Sequence, residues 1–183
     1  SNRMSFKTFY QKEVVPKLTA EFGVKNSHAV PTVKAVTLNV GLGSGLKDAK
    51  FLETVEKTLT RISGQKPVMT KSRKSIAGFK IREGLVVGMK VTLRGKRMWD
   101  FMEKLIRVTL PRVRDFRGLS PAAFDGQGNY SIGFKEHMAF PEVRSDEIEL
   151  IHGLQVTIAT TAESDDQARS LLKHLGMPLK IEN

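Results

Sequence analysis

The sequence predicts an α+β fold in which a mainly antiparallel sheet carries its helices on one face and leaves the other face open for a ligand. Segments with helical and with alternating apolar spacing are interspersed along the 183 residues, without the strict strand–helix alternation of a parallel sheet. No internal repeat is found. The composition, with 40% hydrophobic and 27% charged residues, is that of a globular chain. We therefore expect a single domain over residues 1–183, and we set residues 1–3 aside as a processing or cloning scar.

Two amphipathic helices are predicted in the first third of the chain. The first has an apolar residue at every fourth position, namely Phe6, Tyr10, Val14, Leu18 and Phe22. Pro16 lies within this stripe, so we expect either a kink or two short helices, with Gly23 as the end. Apolar residues from Phe51 to Ile62 mark the second helix, and Gly64 is its expected end.

Two more helices follow in the later part of the chain. Apolar residues at 98–106 predict the third, which should end before Pro111. The fourth begins with Ser164 as N-cap and Gln167 three residues later, which is a capping-box pattern, and it should end at Gly176.

Five segments have the alternation of half-buried strands, at residues 32–40, 67–71, 87–94, 130–134 and 154–158. In the first of them, Val36 and Leu38 fall on one face, whereas Thr37 and Asn39 fall on the other. In the third, the odd-numbered residues are apolar and the even-numbered ones form a polar, basic face, namely Gly88, Lys90, Thr92 and Arg94. The predicted sheet therefore has one polar face.

The sequence gives no support for an enzyme. The glycine-rich turn NVGLGSG at residues 39–45 lacks the glycine that a dinucleotide fingerprint needs where Leu46 stands, and it lacks the Gly-Lys-Ser/Thr ending of a P-loop. It is read as a strand-to-helix turn rather than a nucleotide cradle. The four histidines are not at metal-ligand spacing, and there is no cysteine. We predict no catalytic residue, no metal and no cofactor.

The lack of cysteine and of a long apolar run bears on the compartment in which the protein is found. The lack of cysteine fits a reducing compartment. No apolar run approaches the ~20 residues that span a bilayer, so no membrane partner is expected.

The net charge of +11 is concentrated in one part of the chain. Residues 61–118 hold 16 basic and 4 acidic side chains, whereas residues 119–183 hold 5 basic and 10 acidic ones. Lys57 to Arg82 contains eight Lys or Arg and no acid. A solvated charged surface would have interleaved acids, so this pattern favours an anionic partner.

RNA is favoured over DNA as that partner. Lysine and arginine that neutralise phosphates supply most of the non-specific affinity for nucleic acids. No basic helix with base-reading spacing is evident, which argues against DNA. A glycine-containing basic loop with Ile76 and Phe79 could lie in a shallow minor groove or against splayed bases. Phe79 has a second interpretation, as an apolar anchor at the base of the loop.

Several long motifs resemble one family along nearly the whole chain. They are YQKEVVPKL at Tyr10, GQKPVMTKSRKSIAGFKIREG at Gly64, GMKVTLRG at Gly88, LPRVRDFRGLSPAAFDGQGNYSIGFKE at Leu110, TIATTA at Thr157 and ARSLLKHLGMP at Ala168. In their order and length they resemble the bacterial-type family of large-subunit ribosomal protein five. The resemblance implies a non-catalytic protein that binds 5S ribosomal RNA in the central protuberance and acts in translation.

The resemblance also implies which residues contact which partner. A sheet face around Asn39 and Thr92 would bind 5S rRNA, supported by Lys34, Thr37, Lys90 and Arg94. The loop matching the family's transfer-RNA contact would approach P-site tRNA, through Arg73, Lys74, Ser75, Ile76, Ala77, Gly78, Phe79 and Lys80. A later segment would face the small subunit and its protein thirteen, through Arg112, Arg114, Asp115 and Arg117. The remaining implied partners are 23S rRNA and other proteins of the central protuberance, in a bacterial cytoplasmic ribosome or an organellar one.

Two other classes of function stay open at the level of sequence. An RNA-processing or phosphate-handling enzyme would need a metal or general-base constellation. A general polyanion-binding or chaperone-like module would discriminate weakly between RNAs, whereas a ribosomal component would prefer one RNA fold.

Overall fold

The fold is described from a computed structural model, in which residues 3–42, 49–71, 86–112, 119–134 and 153–180 are described. Its α-helices are α1 (Phe6–Phe9), α2 (Val15–Phe22), α3 (Ala49–Ser63), α4 (Gly95–Lys104) and α5 (Asp165–Leu175). Its strands are β1 (Val33–Gly41), β2 (Val68–Lys71), β3 (Val86–Leu93), β4 (Tyr130–Phe134) and β5 (Leu154–Thr160). The predicted helices and strands in these ranges are confirmed to within a few residues. None of the described helices is long and apolar enough to cross a membrane.

The first helical segment accommodates Pro16 without a break. A π-helical turn, Tyr10–Val14, joins α1 to α2, and the backbone N–H of Val15 donates to the carbonyl of Tyr10. Pro16 then stands at the start of α2, where its missing N–H is tolerated. The segment ends at Gly23 with φ of 62°, as the sequence predicted.

A π-helical turn also precedes the proline at the end of the third predicted helix. After α4 the chain continues as a π-helical turn, Leu105–Thr109, and then as a 3₁₀ turn, Leu110–Arg112. The α-helix and the π-helical turn end before Pro111, as expected, but the helical backbone then continues through the proline as the 3₁₀ turn. The wider turn before the proline shifts the hydrogen-bonding pattern, and proline does not break a helix where its N–H is not needed.

The five strands form one sheet in the order β2-β3-β1-β5-β4. The sheet is antiparallel, so the α+β prediction is confirmed. By the density of contacts the chain separates into two compact units. The first comprises Ser1–Val36, Arg94–Ile132 and Thr157–Asn183, and the second comprises Thr37–Leu93 and Gly133–Val156. The expectation of one domain stays a prediction.

In the first unit, aromatic and aliphatic side chains of the helices form the core. Trp99 of α4 stacks on Tyr10 with 5.3 Å between the ring centroids, and it contacts Phe6. The hydroxyl of Tyr10 donates to the backbone carbonyl of Pro31 at 2.6 Å, and burial raises the pKa of this phenol. Burial likewise raises the pKa of Tyr130 to about 12. Both phenols therefore stay protonated donors at neutral pH.

In the second unit, α3 packs against β3. The buried side chains of α3 include Val55, Leu59 and Ile62. Met89, Val91 and Leu93 of β3 are each no more than 1% exposed. Because side chains alternate along a strand, α3 covers the odd-numbered face of β3, and the even-numbered residues point the other way.

Candidate RNA-binding surface

The polar face of β3 was predicted from sequence and lies opposite the face that α3 covers. Lys90 is exposed on it and Thr92 is half-buried. Arg94, exposed just after β3, is the N-cap residue of α4 and belongs to the first unit. The alternation that the sequence showed is thus present in the structure.

The edge strand β2 extends this polar face. It pairs antiparallel with β3, with Val68 opposite Lys90 and Thr70 opposite Gly88. Directly opposite residues in an antiparallel pair project to the same side of the sheet. Val68 is 64% exposed, which makes it the most exposed large hydrophobic residue in the described part of the chain. The sequence analysis missed Val68 and Thr70, because the sequence of neither strand reveals the register between the two strands.

On its other side β3 neighbours β1, which brings Thr37 and Asn39 into the second unit. Asn39 is exposed and Thr37 is half-buried. A Cβ atom placed on Gly88 would lie 3.9 Å from Oδ1 of Asn39. The amide of Asn39 therefore leans over Gly88 on the polar face of β3. We call the set Thr37, Asn39, Thr70, Gly88, Lys90 and Thr92 the polar sheet face.

Lys34 does not join the polar sheet face. It is exposed on β1 and belongs to the first unit, whereas Asn39 belongs to the second. The resemblance to the family implied it as a supporting contact. Its role in binding stays a prediction.

Gln65 is a further residue beside this surface that the sequence analysis did not single out. Its amide nitrogen donates to the backbone carbonyl of Thr92 at 3.2 Å, which fastens the chain after α3 to β3. Ser63 fixes the same turn, because its hydroxyl accepts from the N–H of Gln65. No local pattern in the sequence could have shown this contact, which joins residues 27 positions apart.

The other predicted contact residues fall mostly outside the described residues. These are Arg73, Lys74, Ser75, Ile76, Ala77, Gly78, Phe79 and Lys80 of the predicted tRNA contact, and Arg114, Asp115 and Arg117 of the segment predicted to face the small subunit. Arg112 is described, and it lies exposed at the end of the 3₁₀ turn after Leu110.

Part of the acid-free segment lies away from the polar sheet face. Lys57, Arg61 and Lys66 line an open cleft of about 410 Å³ with Glu56 and Thr60 on α3. Lys57 pairs with Glu53 at 2.9 Å, and Lys66 approaches Glu56 at 3.8 Å. Lys57 and Lys66 are therefore partly compensated by carboxylates of α3, which the count along the sequence did not show.

The described residues contain no group of three or more His, Asp or Glu side chains placed to hold a metal ion. Two aspartates near β4 bind backbone groups instead. Asp165 accepts hydrogen bonds from the N–H groups of Gly126 and Gly128, at 3.1 and 3.2 Å. Asp125 accepts from the N–H groups of Gln127 and Asn129, and these bonds lower the pKa of its carboxyl.

Comparison with known proteins agrees with the resemblance seen in the motifs. The family model described as "Ribosomal protein L5" matches residues 26–82, and the model for the C-terminus of the same ribosomal protein family matches residues 86–179. "Large ribosomal subunit protein uL5" of Francisella tularensis subsp. tularensis strain FSC 198 is 55% identical over 174 residues, which cover 95% of this chain and 97% of the relative. The protein of the same name from Syntrophomonas wolfei is 54% identical over 171 residues, covering 93% and 96%.

This α+β sheet therefore occurs in a chain whose relatives are proteins of the large ribosomal subunit. Both family models match, and together they span most of the chain. The chain belongs to the ribosomal protein L5 family.

Proposed function

We propose that this protein is a structural constituent of the large ribosomal subunit and binds 5S rRNA through the polar sheet face, without catalysing a reaction. The relatives that cover nearly the whole chain carry the name of a large-subunit protein. The observation that supports the sheet as the contact surface is the amide of Asn39 leaning over Gly88, beside the exposed Lys90.

The chemistry of this surface suits an RNA helix. Lys90 would neutralise a phosphate, and the uncharged groups of Thr37, Asn39 and Thr92 can both donate to and accept from ribose hydroxyls. Double-stranded RNA presents 2′-hydroxyls and phosphates across a wide, shallow minor groove. A flat strand face with short polar side chains is complementary to such a groove. The bound RNA would be recognised mainly by its shape.

The finer contacts of this proposal rest on the resemblance and on charge. Residues 73–80 would approach P-site tRNA, since they stand in the acid-free segment from Lys57 to Arg82. Arg112 and the following residues 114, 115 and 117 would face the small subunit and its protein thirteen. 23S rRNA and neighbouring proteins of the central protuberance complete the proposed partners, in the cytoplasm of a bacterium.

Removing one polar group from the sheet face tests the 5S rRNA contact. Asn39→Ala and Thr92→Ala should each weaken binding of 5S rRNA by about 1–3 kcal/mol, because each leaves a polar partner in the interface unsatisfied. The measurement is a titration of labelled 5S rRNA with each purified variant. Gln11→Ala serves as the control, because Gln11 is exposed on the π-helical turn of the first unit. Wild-type affinity in both sheet variants would reject this face as the contact surface.

A further inference from the structure

Three neighbouring strands place one residue each in a row across the polar sheet face. Thr70 of β2 stands opposite Gly88 of β3, and Asn39 of β1 lies on the other side of that glycine. A Cβ atom on residue 88 would come within 2.8 Å of the Thr70 hydroxyl oxygen and within 2.9 Å of the Val40 carbonyl oxygen. Real Cβ atoms do not approach other atoms so closely, so any side chain at residue 88 would displace its neighbours.

Glycine is therefore required at residue 88 because its neighbours lie so close, and not because of its backbone conformation. Its φ does not lie in the left-handed region, unlike that of Gly64 or Gly95. Gly41, which is likewise free of a positive φ but is exposed where Gly88 is buried, has open space where a Cβ would be. Glycine at 88 removes the atom that would separate the hydroxyl of Thr70 from the amide of Asn39. The hydroxyl oxygen of Thr70 and Oδ1 of Asn39 therefore both stand over the buried backbone of Gly88.

We propose that Thr70 is a further RNA-binding residue, whose hydroxyl holds the same RNA backbone oxygen as the amide of Asn39, and that Gly88 is needed to bring the two together. This inference rests on the proposed function and names an additional part of the same site. The hydroxyl of threonine and the amide of asparagine each offer a donor and an acceptor. A ribose hydroxyl or a phosphate oxygen on the outer side of these two groups would bond to both, because glycine at the buried position 88 lets the Thr70 hydroxyl lie over the backbone on the side where the Asn39 amide stands.

Two substitutions at residue 70 separate the hydroxyl from the shape of the side chain. Thr70→Val keeps the branched shape and removes the hydroxyl, so affinity for 5S rRNA should fall about two- to tenfold, the worth of one neutral hydrogen bond. The dependence of affinity on salt should not change, because no charge is removed. Thr70→Ser restores the hydroxyl and should bind within about twofold of wild type. Wild-type affinity in Thr70→Val overturns the inference.

A double-mutant cycle tests whether Thr70 and Asn39 act on the same group. If they do, Thr70→Val combined with Asn39→Ala should lose less affinity than the two single losses multiplied together, because the second change removes a contact that the first has already weakened. Fully multiplicative losses would contradict the shared contact.

A pair of glycine substitutions tests the role of residue 88. Gly88→Ala should lose more 5S affinity than Thr70→Val, since its Cβ pushes against both Thr70 and the backbone of Val40, whereas Gly41→Ala should bind as wild type. Equal affinities of the two alanine variants would contradict the inference. If Asn39→Ala loses affinity while the Thr70 and Gly88 variants do not, the inference fails and the proposed function stands. If the wild-type protein does not prefer 5S rRNA to a shuffled RNA, the proposed function itself fails.

Discussion

At the scale of single residues, a few hydrogen bonds between distant parts of the chain hold the first unit together. Glu21 of α2 accepts from the hydroxyl of Ser170 at 2.6 Å and lies 3.2 Å from Nε2 of His174, both on α5. The hydrogen bond from Ser170, followed by the interactions with His174, lowers the pKa of the Glu21 carboxyl below its ordinary value of 4.5. The carboxylate thus joins two helices through residues that are 149 positions apart in sequence.

This carboxylate predicts a pH dependence of stability. Because the pKa of Glu21 is lower in the folded state, its contribution is complete above the unfolded value of about 4.5 and is lost as the pH falls below it. Glu21→Gln should therefore destabilise the protein at pH 7 by about 0.5 kcal/mol, a small value because the side chain is 43% exposed. The difference from wild type should shrink towards pH 3, as measured by urea unfolding. Glu13→Gln, at an exposed position in the same helical segment, is the control, and a difference for Glu21→Gln that is constant with pH would disagree with this account.

At the scale of elements, the two faces of β3 have different partners. Met89, Val91 and Leu93 pack under α3, whereas Lys90 and Thr92 stand on the polar sheet face. The alternation of apolar and polar residues was sufficient to predict this division from sequence. It could not predict that Thr70 stands beside Gly88, because that depends on the register of β2 against β3.

Two charge reversals on opposite sides of the second unit test this division. Lys90→Glu should weaken 5S rRNA binding strongly and reduce the slope of log affinity against log salt by about one, since one phosphate contact is lost. Lys57→Glu makes the same change of charge on α3, which lies on the other side of β3, so it should leave 5S affinity within about threefold of wild type. Similar losses for the two variants, measured over the same salt range, would mean that net charge rather than the sheet face governs binding.

Some boundaries of the helices were predicted from the sequence, and others were not. The helix starts and ends at Ser164, Gly23 and Gly176 were predicted because caps are local signals. The path through Pro111 was not, because a π-helical turn before a proline has no simple local signature. Among the predicted contact residues, strand parity joined Thr37 to Asn39, whereas Lys34 belongs to the first unit.

At the scale of the whole molecule, the charge is divided unevenly along the chain. Residues 61–118 carry the basic excess, while residues 119–183 are net acidic. The sequence predicted an anionic partner from this distribution, and charge alone could not say which RNA. The resemblance of the long motifs supplied the family, which the comparisons confirm. The central claim, that one face of the sheet selects 5S rRNA, concerns discrimination between RNAs as well as affinity.

The most direct test of that claim compares two RNAs across a salt series. The wild-type protein is titrated with 5S rRNA and with a shuffled RNA of the same length and composition, from low to high salt. Non-specific phosphate contacts weaken steeply with salt for both RNAs, whereas hydrogen bonds to a particular RNA shape persist. We expect a preference for 5S rRNA that is retained as salt rises. Equal affinities that fall together would contradict the account, and the polar sheet face would then be a general polyanion-binding surface.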